Sequence, residues 1–212
     1  IHSSVGIVGI GEGTTIGGLS YCEESPEIIN TVLTEYFAPA LKGKDPQNIN
    51  KIMWDLNRLA KGNRISKSAV EMALLDAQAK RRNITVGQLL GGTLVDKVPV
   101  LWTLASGNTQ QDIEEALNLL EMRRHNIFKI KIGANDPKHD VEHVCAIKNA
   151  LGDRAKITVD VNQAWSENTC KYGLKAFEEC GVDLIEQPLP KWNFEGMARV
   201  TQRFAMPIMA DE

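Results

Sequence analysis

The feature that most constrains this chain is a steady alternation, beginning near residue 98, of short β-forming runs with single helical patterns. The β-forming runs cover 98–104, 127–132, 156–161, 182–186 and 207–210, and the helical patterns between them cover 110–125, 137–151, 167–180 and 195–204. Strands separated by one helix each are the pattern of parallel βα units, because a parallel neighbour can be reached only by a crossover. Such units build a doubly wound sheet or close into a (β/α)8 barrel of about 250 residues. The expected fold class is therefore α/β, with about five of eight barrel strands in this stretch.

The residues before it have a different rhythm. Positions 1–25 are rich in glycine and β-formers, and 5–11 reads as a middle strand of a small sheet. From residue 26 to about 83 the pattern turns helical. Ala69, Val70, Ala73, Leu74 and Ala77 share one face of a helix, and Ser66 is a candidate N-cap for it. Gly91-Gly92 closes a short helical turn, which predicts two domains, 1–95 and 96–212.

Composition removes several function classes. A formal net charge of −3 and a pI near 5.9 argue against nucleic acid, which takes a basic face. The basic runs at Lys80-Arg81-Arg82 and Arg123-Arg124-His125 sit where helices should close and complement their dipoles. No apolar run approaches the ~18 residues of a membrane span, and no charged-then-apolar leader is visible. Cys22, Cys145, Cys170 and Cys180 include no C-x-x-C pair, so no disulfide framework is expected and a reducing cytoplasm is the default.

The chemistry lies at the ends of the strands. Side chains alternate faces along a strand, so Lys129 and Lys131 point one way while Phe128, Ile130 and Ile132 point the other. Asp160 and Asn162 share a face of the next strand, Glu186 ends the fourth and Asp211 follows the fifth. Each is about one βα unit beyond the last, which puts each at a C-terminal strand end, the catalytic face of barrel enzymes. Adjacent carboxylates repel unless a cation joins them, and an all-oxygen set calls for a hard ion such as Mg²⁺ or Mn²⁺. Two lysines beside them can act as acid and base. A lone Asp after a strand is usually a helix cap, but three carboxylates on consecutive strands behind two inward lysines exceed that explanation.

The order Lys-x-Lys, Asp-x-Asn, Glu-Gln-Pro and Ala-Asp-Glu resembles the muconate-lactonising subgroup of the enolase superfamily. Local stretches extend the likeness: 14–21 and 73–78 in the first domain, 102–107 and 159–165 in the second. The resemblance implies an α+β capping domain followed by an incomplete TIM-type barrel. It implies metal ligands at Asp160, Glu186 and Asp211, an acid/base at Lys131 with Lys129 as its partner, and substrate contacts from Ile16, Tyr21 and Asn162. The implied reaction is the reversible, Mn²⁺- or Mg²⁺-dependent lactonisation of cis,cis-muconate in aromatic catabolism. A small dicarboxylate would be the substrate, and the full-length protein would be a cytoplasmic homo-oligomer. Members that lactonise chloromuconate, form o-succinylbenzoate or epimerise dipeptides share the same ligands. The group also places a lysine on a sixth strand, so Ile1 and Glu212 are expected to be cut ends, and a non-catalytic fragment is the rival reading.

Weaker signals carry other readings. Positions 9–17 approach a dinucleotide-binding fingerprint, but Thr14 and Ile16 stand where its third glycine belongs. His139 and His143 are four apart on a helix without the H-E-x-x-H order, which favours a solvated face. Trp54 reads as core, while Trp165 fits either the mouth of the barrel or packing.

Overall fold

The computed structural model describes residues 1–15, 18–20 and 22–212, with the backbone alone at Ser20. It divides into two compact units, Ile1–Asp96 and Lys97–Glu212.

In the first unit, α1 (Pro26–Thr31) starts with proline at its first turn and the Ser25 hydroxyl accepting the Ile28 N–H at 3.3 Å. A π-helical stretch (Val32–Phe37), α2 (Ala38–Leu41), α3 (Ile49–Leu59), α4 (Arg64–Arg82) and α5 (Val86–Leu89) follow. Phe37, Ile52, Leu56, Val70 and Leu74 are buried together as the core. Ser66 does not cap α4. The helix begins after Asn63, and Ser66 lies buried inside its first turn. The cap comes instead from Glu24, whose carboxylate accepts the Ile65 N–H at 2.9 Å, the Ser66 N–H at 3.1 Å and the Ser66 hydroxyl at 2.8 Å. A carboxylate at this end also meets the positive pole of the helix.

Residues 5–11 form no strand. One antiparallel bridge joins His2 to Val8; beside it Ile1 and Gly9 exchange backbone hydrogen bonds at 2.8 and 2.9 Å, the Ser3 N–H donates to the Ile7 carbonyl at 2.9 Å, and the segment also lies along α4. The Ile10 N–H donates to Asp76 at 2.7 Å and the Lys80 ammonium to the Val8 carbonyl at 3.0 Å. A Cβ at Gly9 or Gly11 would run into the backbone carbonyl of Ala73 or Ala69. The glycines here serve close approach to a helix, and the small alanine face of α4 is their counterpart. Trp54, expected in the core, is 52% exposed, with Lys51 and Arg58 over its ring at 4.6 and 4.7 Å.

The second unit is a parallel five-stranded sheet in sequential order. Its elements run β1 (Trp102–Leu104), α6 (Thr109–Glu121), β2 (Ile127–Lys131), α7 (Pro137–Leu151), β3 (Lys156–Asp160), α8 (Glu167–Cys180), β4 (Leu184–Glu186), α9 (Phe194–Arg203) and β5 (Ile208–Met209). Helices α7 and α8 run between the bounds that the periodicity predicts. The strands are shorter than expected, because a ladder ends where its neighbour ends: Trp102–Leu104 pairs with Phe128–Ile130, and β5 pairs only through Ile208 and Met209. Leu104, Phe128, Ile130, Ile157, Val159 and Ile185 are fully buried against the helices, and the residues between them, including Lys129 and Lys131, take the opposite face. Trp165 belongs to the packing, stacked on Phe177 at 5.6 Å between ring centroids.

Two expectations about side chains are corrected here. His143 is buried, with Nδ1 2.8 Å from the Thr109 hydroxyl and Nε2 3.4 Å from Asp112, whereas His139 is exposed. Cys145 on α7 and Cys180 on α8 form a disulfide, their Cα atoms 5.7 Å apart. Parallel neighbours bring one helix beside the next, which juxtaposes cysteines that have no motif spacing. Cys170 is a free, buried thiol pushed up to about 12 by burial.

Candidate active site

The ladder lines up the charged residues. Lys131 of β2 pairs with Asp160 of β3, and Asp160 with Glu186 of β4, so three of the candidate side chains occupy one row across three adjacent strands. Lys129, one pleat lower on the same face, reaches up between the carboxylates. Its ammonium lies 3.0 Å from Asp160 Oδ2 and 2.7 Å from each oxygen of Glu186. The Lys131 ammonium is 3.5 Å from both Asp160 Oδ2 and Asn162 Oδ1. Asn162 in turn donates from its amide to Glu212 at 3.4 Å and from its backbone N–H to Asp160 Oδ1 at 3.1 Å.

Burial divides the row. Asp160 and Glu186 are 1% and 4% exposed, while the Lys131 side chain is 43% exposed and free to meet a solute. Burial pulls the Lys129 ammonium down, but its hydrogen bonds to Glu186 and Asp160 outweigh this and hold it above the usual lysine value. Burial pushes the Glu186 carboxyl above its usual range; Lys129 opposes the rise, and the charges of Asp160 and Asp211 add to it. Lys129 lies between the two buried carboxylates and Lys131 is 3.5 Å from Asp160, so the negative charge left over comes with the Asp211 carboxylate, and a further cation would relieve it.

Asp211 lies past the end of β5, with its backbone N–H donated to the side chain of Gln187 at 2.8 Å. Among the described residues, no group of three His, Cys, Asp or Glu side chains is gathered closely enough to hold one ion. The structure thus brings Lys129, Lys131, Asp160, Asn162 and Glu186 together, and sets the Asp211 carboxylate near enough for its charge to be felt at Glu186. Ile16 and Tyr21 lie outside the described residues. The donor chemistry suits a hard divalent ion: Asp160 and Glu186 present carboxylate oxygens at one level of the ladder with a cation already between them, and the Asp211 carboxylate follows just beyond the ladder's end.

Sequence reasoning passed over Gln163 and Gln187. Asn162, Gln163 and Gln187 have φ of 45°, 68° and 37°, left-handed values that non-glycine residues seldom take. Gln187 directly follows β4, and Asn162 and Gln163 lie two and three residues past β3; such strain gathers at functional sites. Gln187 stands in the Glu-Gln-Pro motif and Gln163 in the stretch 159–165, but neither pattern reveals a role, since most of the hydrogen bonds that hold the two residues come from other loops.

A sequentially ordered parallel βα sheet with lysines and carboxylates at its C-terminal strand ends defines a barrel-type α/β protein whose polar site is built from successive strands. Two family models cover most of the chain: "Mandelate racemase / muconate lactonizing enzyme, N-terminal domain" over residues 1–91 and "Enolase C-terminal domain-like" over residues 111–212. The chain belongs to the mandelate racemase/muconate lactonizing enzyme family of the enolase superfamily, a superfamily that generally uses a divalent metal ion. Among its relatives, muconate cycloisomerase 1 of Acinetobacter baylyi is 51% identical over 208 residues, which is 98% of this chain and 56% of that protein. A chloromuconate cycloisomerase of Pseudomonas sp. strain P51 is 44% identical over 207 residues, with the same shares covered. The crystal structure of a muconate lactonizing enzyme from Pseudomonas fluorescens, complexed with muconolactone, superposes with a TM-score of 0.97 at 50% identity, covering 99% of this chain and 57% of that one. The chain therefore spans somewhat more than half the length of the relatives it matches.

Proposed function

We propose that the full-length protein containing this chain is a muconate cycloisomerase, interconverting cis,cis-muconate and muconolactone. The observation that carries this reading is the row Lys131–Asp160–Glu186, in register across three strands, with the Lys129 ammonium between the two carboxylates. Its support from relatives is that proteins about half identical over essentially the whole chain bear that name.

Asp160, Glu186 and Asp211 would hold the divalent ion, for which we propose Mn²⁺, with Mg²⁺ as the alternative. When bound, the ion supplies positive charge against the negative charge that develops on one substrate carboxylate during the addition. In the forward direction, an oxygen of the other carboxylate forms a C–O bond at the far end of the conjugated double bond. The electron pair moves to the carbon beside the first carboxylate, and Lys131 gives that carbon a proton. In reverse, Lys131 takes the proton back as the C–O bond breaks. Its exposure leaves room for the substrate, and the Asn162 side chain beside it can orient both the ammonium and the incoming diacid. Lys129 keeps the two carboxylates charged and apart from the reacting carbon. Ile16 and Tyr21 would contact the substrate. The reading places the protein in the cytoplasm as a homo-oligomer, where Cys145 and Cys180 would be adjacent thiols.

The test is the loss of muconate ultraviolet absorbance with the full-length protein, with and without chelator. Turnover that stops in chelator and returns with Mn²⁺ is expected. Full activity in excess chelator sinks the metal assignment, and preference for chloromuconate over muconate moves the protein to the neighbouring activity.

A further inference from the structure

Gln187 is a residue for which the reaction above has no use, yet all its hydrogen-bonding groups are engaged. It is buried, 3% exposed, and sits at φ 37° between Glu186 and Pro188. Its backbone N–H donates to the Met209 carbonyl at 2.9 Å, and its carbonyl accepts the Gln163 N–H at 2.8 Å. Its side-chain Nε2 donates to the Leu189 carbonyl at 2.8 Å, and its Oε1 accepts the Asp211 N–H at 2.8 Å. The partners fix which end of the amide is which, since a carbonyl can only accept and a backbone N–H only donate. Strand β5 pairs with β4 only through Ile208 and Met209, so the ladder has ended before Asp211 is reached. The Gln187 side chain extends the connection from β4 to β5 two residues further than the ladder carries it.

We propose that Gln187 is a positioning residue for the third carboxylate, holding the backbone of Asp211 beside Glu186 and thereby setting the affinity of the site for a divalent ion it does not touch. The proposal rests on the reading of Asp160, Glu186 and Asp211 as one ion site. Outer hydrogen bonds that orient ligands typically change metal affinity 10–100-fold when removed. The left-handed backbone is the cost of turning the side chain of Gln187 back across the strand ends, and the four bonds hold it there.

The experiment uses the full-length protein stripped of metal, titrated with Mn²⁺ and followed by the electron paramagnetic resonance of the free ion, together with hydrogen exchange at the Asp211 amide. Gln187→Met keeps the volume and removes both side-chain bonds. It should weaken Mn²⁺ binding at least about tenfold and speed Asp211 exchange, while the urea midpoint of the metal-free protein moves much less in proportion. Gln187→Glu keeps an acceptor for the Asp211 N–H and should leave that amide protected, which serves if the methionine variant does not fold. Wild-type affinity in a folded Gln187→Met, or an unprotected Asp211 amide in a folded Gln187→Glu, overturns the proposal. If instead the wild type binds no Mn²⁺, or Asp160→Asn binds it equally well, the ion-site reading fails and this inference falls with it.

Discussion

Replacing Lys129 by methionine isolates the electrostatics at the centre of the site. The ammonium is 2.7 to 3.0 Å from two carboxylates that are almost fully buried. Removing one partner of a buried ion pair costs about 3–5 kcal/mol, because the charge left behind is neither solvated nor paired. Lys129 retains 18% side-chain exposure, so water can enter the vacated space and screen the carboxylates; the lower end, about 3 kcal/mol, is expected. With a urea dependence of about 1–3 kcal/mol per molar, that is a fall of roughly 1 M or more in the midpoint for the metal-free full-length protein. Divalent ion and ammonium draw on the same oxygens, so Lys129→Met should bind Mn²⁺ more tightly than the wild type. Each tenfold gain narrows the stability deficit by about 1.4 kcal/mol at saturating ion. Urea denaturation followed by circular dichroism, with chelator and with Mn²⁺, measures both quantities. A metal-free deficit below about 1 kcal/mol, or weaker Mn²⁺ binding in the variant, refutes the reasoning that Lys129 is the cation compensating this pair.

Three further outcomes are expected. Lys131→Ala should lower kcat at least about 10²-fold, as loss of an acid/base does, with Mn²⁺ binding retained; parental rates of solvent-deuterium exchange into muconolactone would assign the proton to another group. Burial holds the His143 imidazole below its ordinary value of 6.5, so below that pH the unfolded chain binds the proton and the folded one does not. Stability should therefore rise with pH through the window below 6.5 and level off above it, and His143→Gln should flatten that slope; an unchanged slope in chemical denaturation between pH 5 and 7 would assign it elsewhere. In oxidised protein, Cys180→Ser should cost up to about 4 kcal/mol, the loop-closure value for the segment between Cys145 and Cys180. Equal urea midpoints for the oxidised parent and the variant would contradict it.

Much of the barrel-type unit was legible because its signals are local. Helix α7 carries proline and an aspartate cap at its start, and β2 shows its two faces in the alternation of lysine with phenylalanine and isoleucine. The candidate site was legible for the same reason: a period-2 strand and a regular βα spacing put Lys131, Asp160 and Glu186 at one level before any coordinate is known. Tertiary structure decided whatever depends on a partner distant in the chain. Glu24, not Ser66, caps α4 from 42 residues away. Residues 5–11 have the composition of a strand, but their hydrogen bonds are divided between residues 1–3 and side chains of α4, so the pairing does not extend beyond one bridge; β-propensity becomes a strand only where a partner extends the ladder. Trp54 has a core residue's chemistry, yet its helix turns it outward beneath two cations. The Cys145–Cys180 pair and the four bonds of Gln187 follow from which helices and loops become neighbours. Periodicity and spacing are properties of consecutive residues and survive in the sequence, whereas a hydrogen bond between two loops is specified only by the packing that brings those loops within about 3 Å of each other.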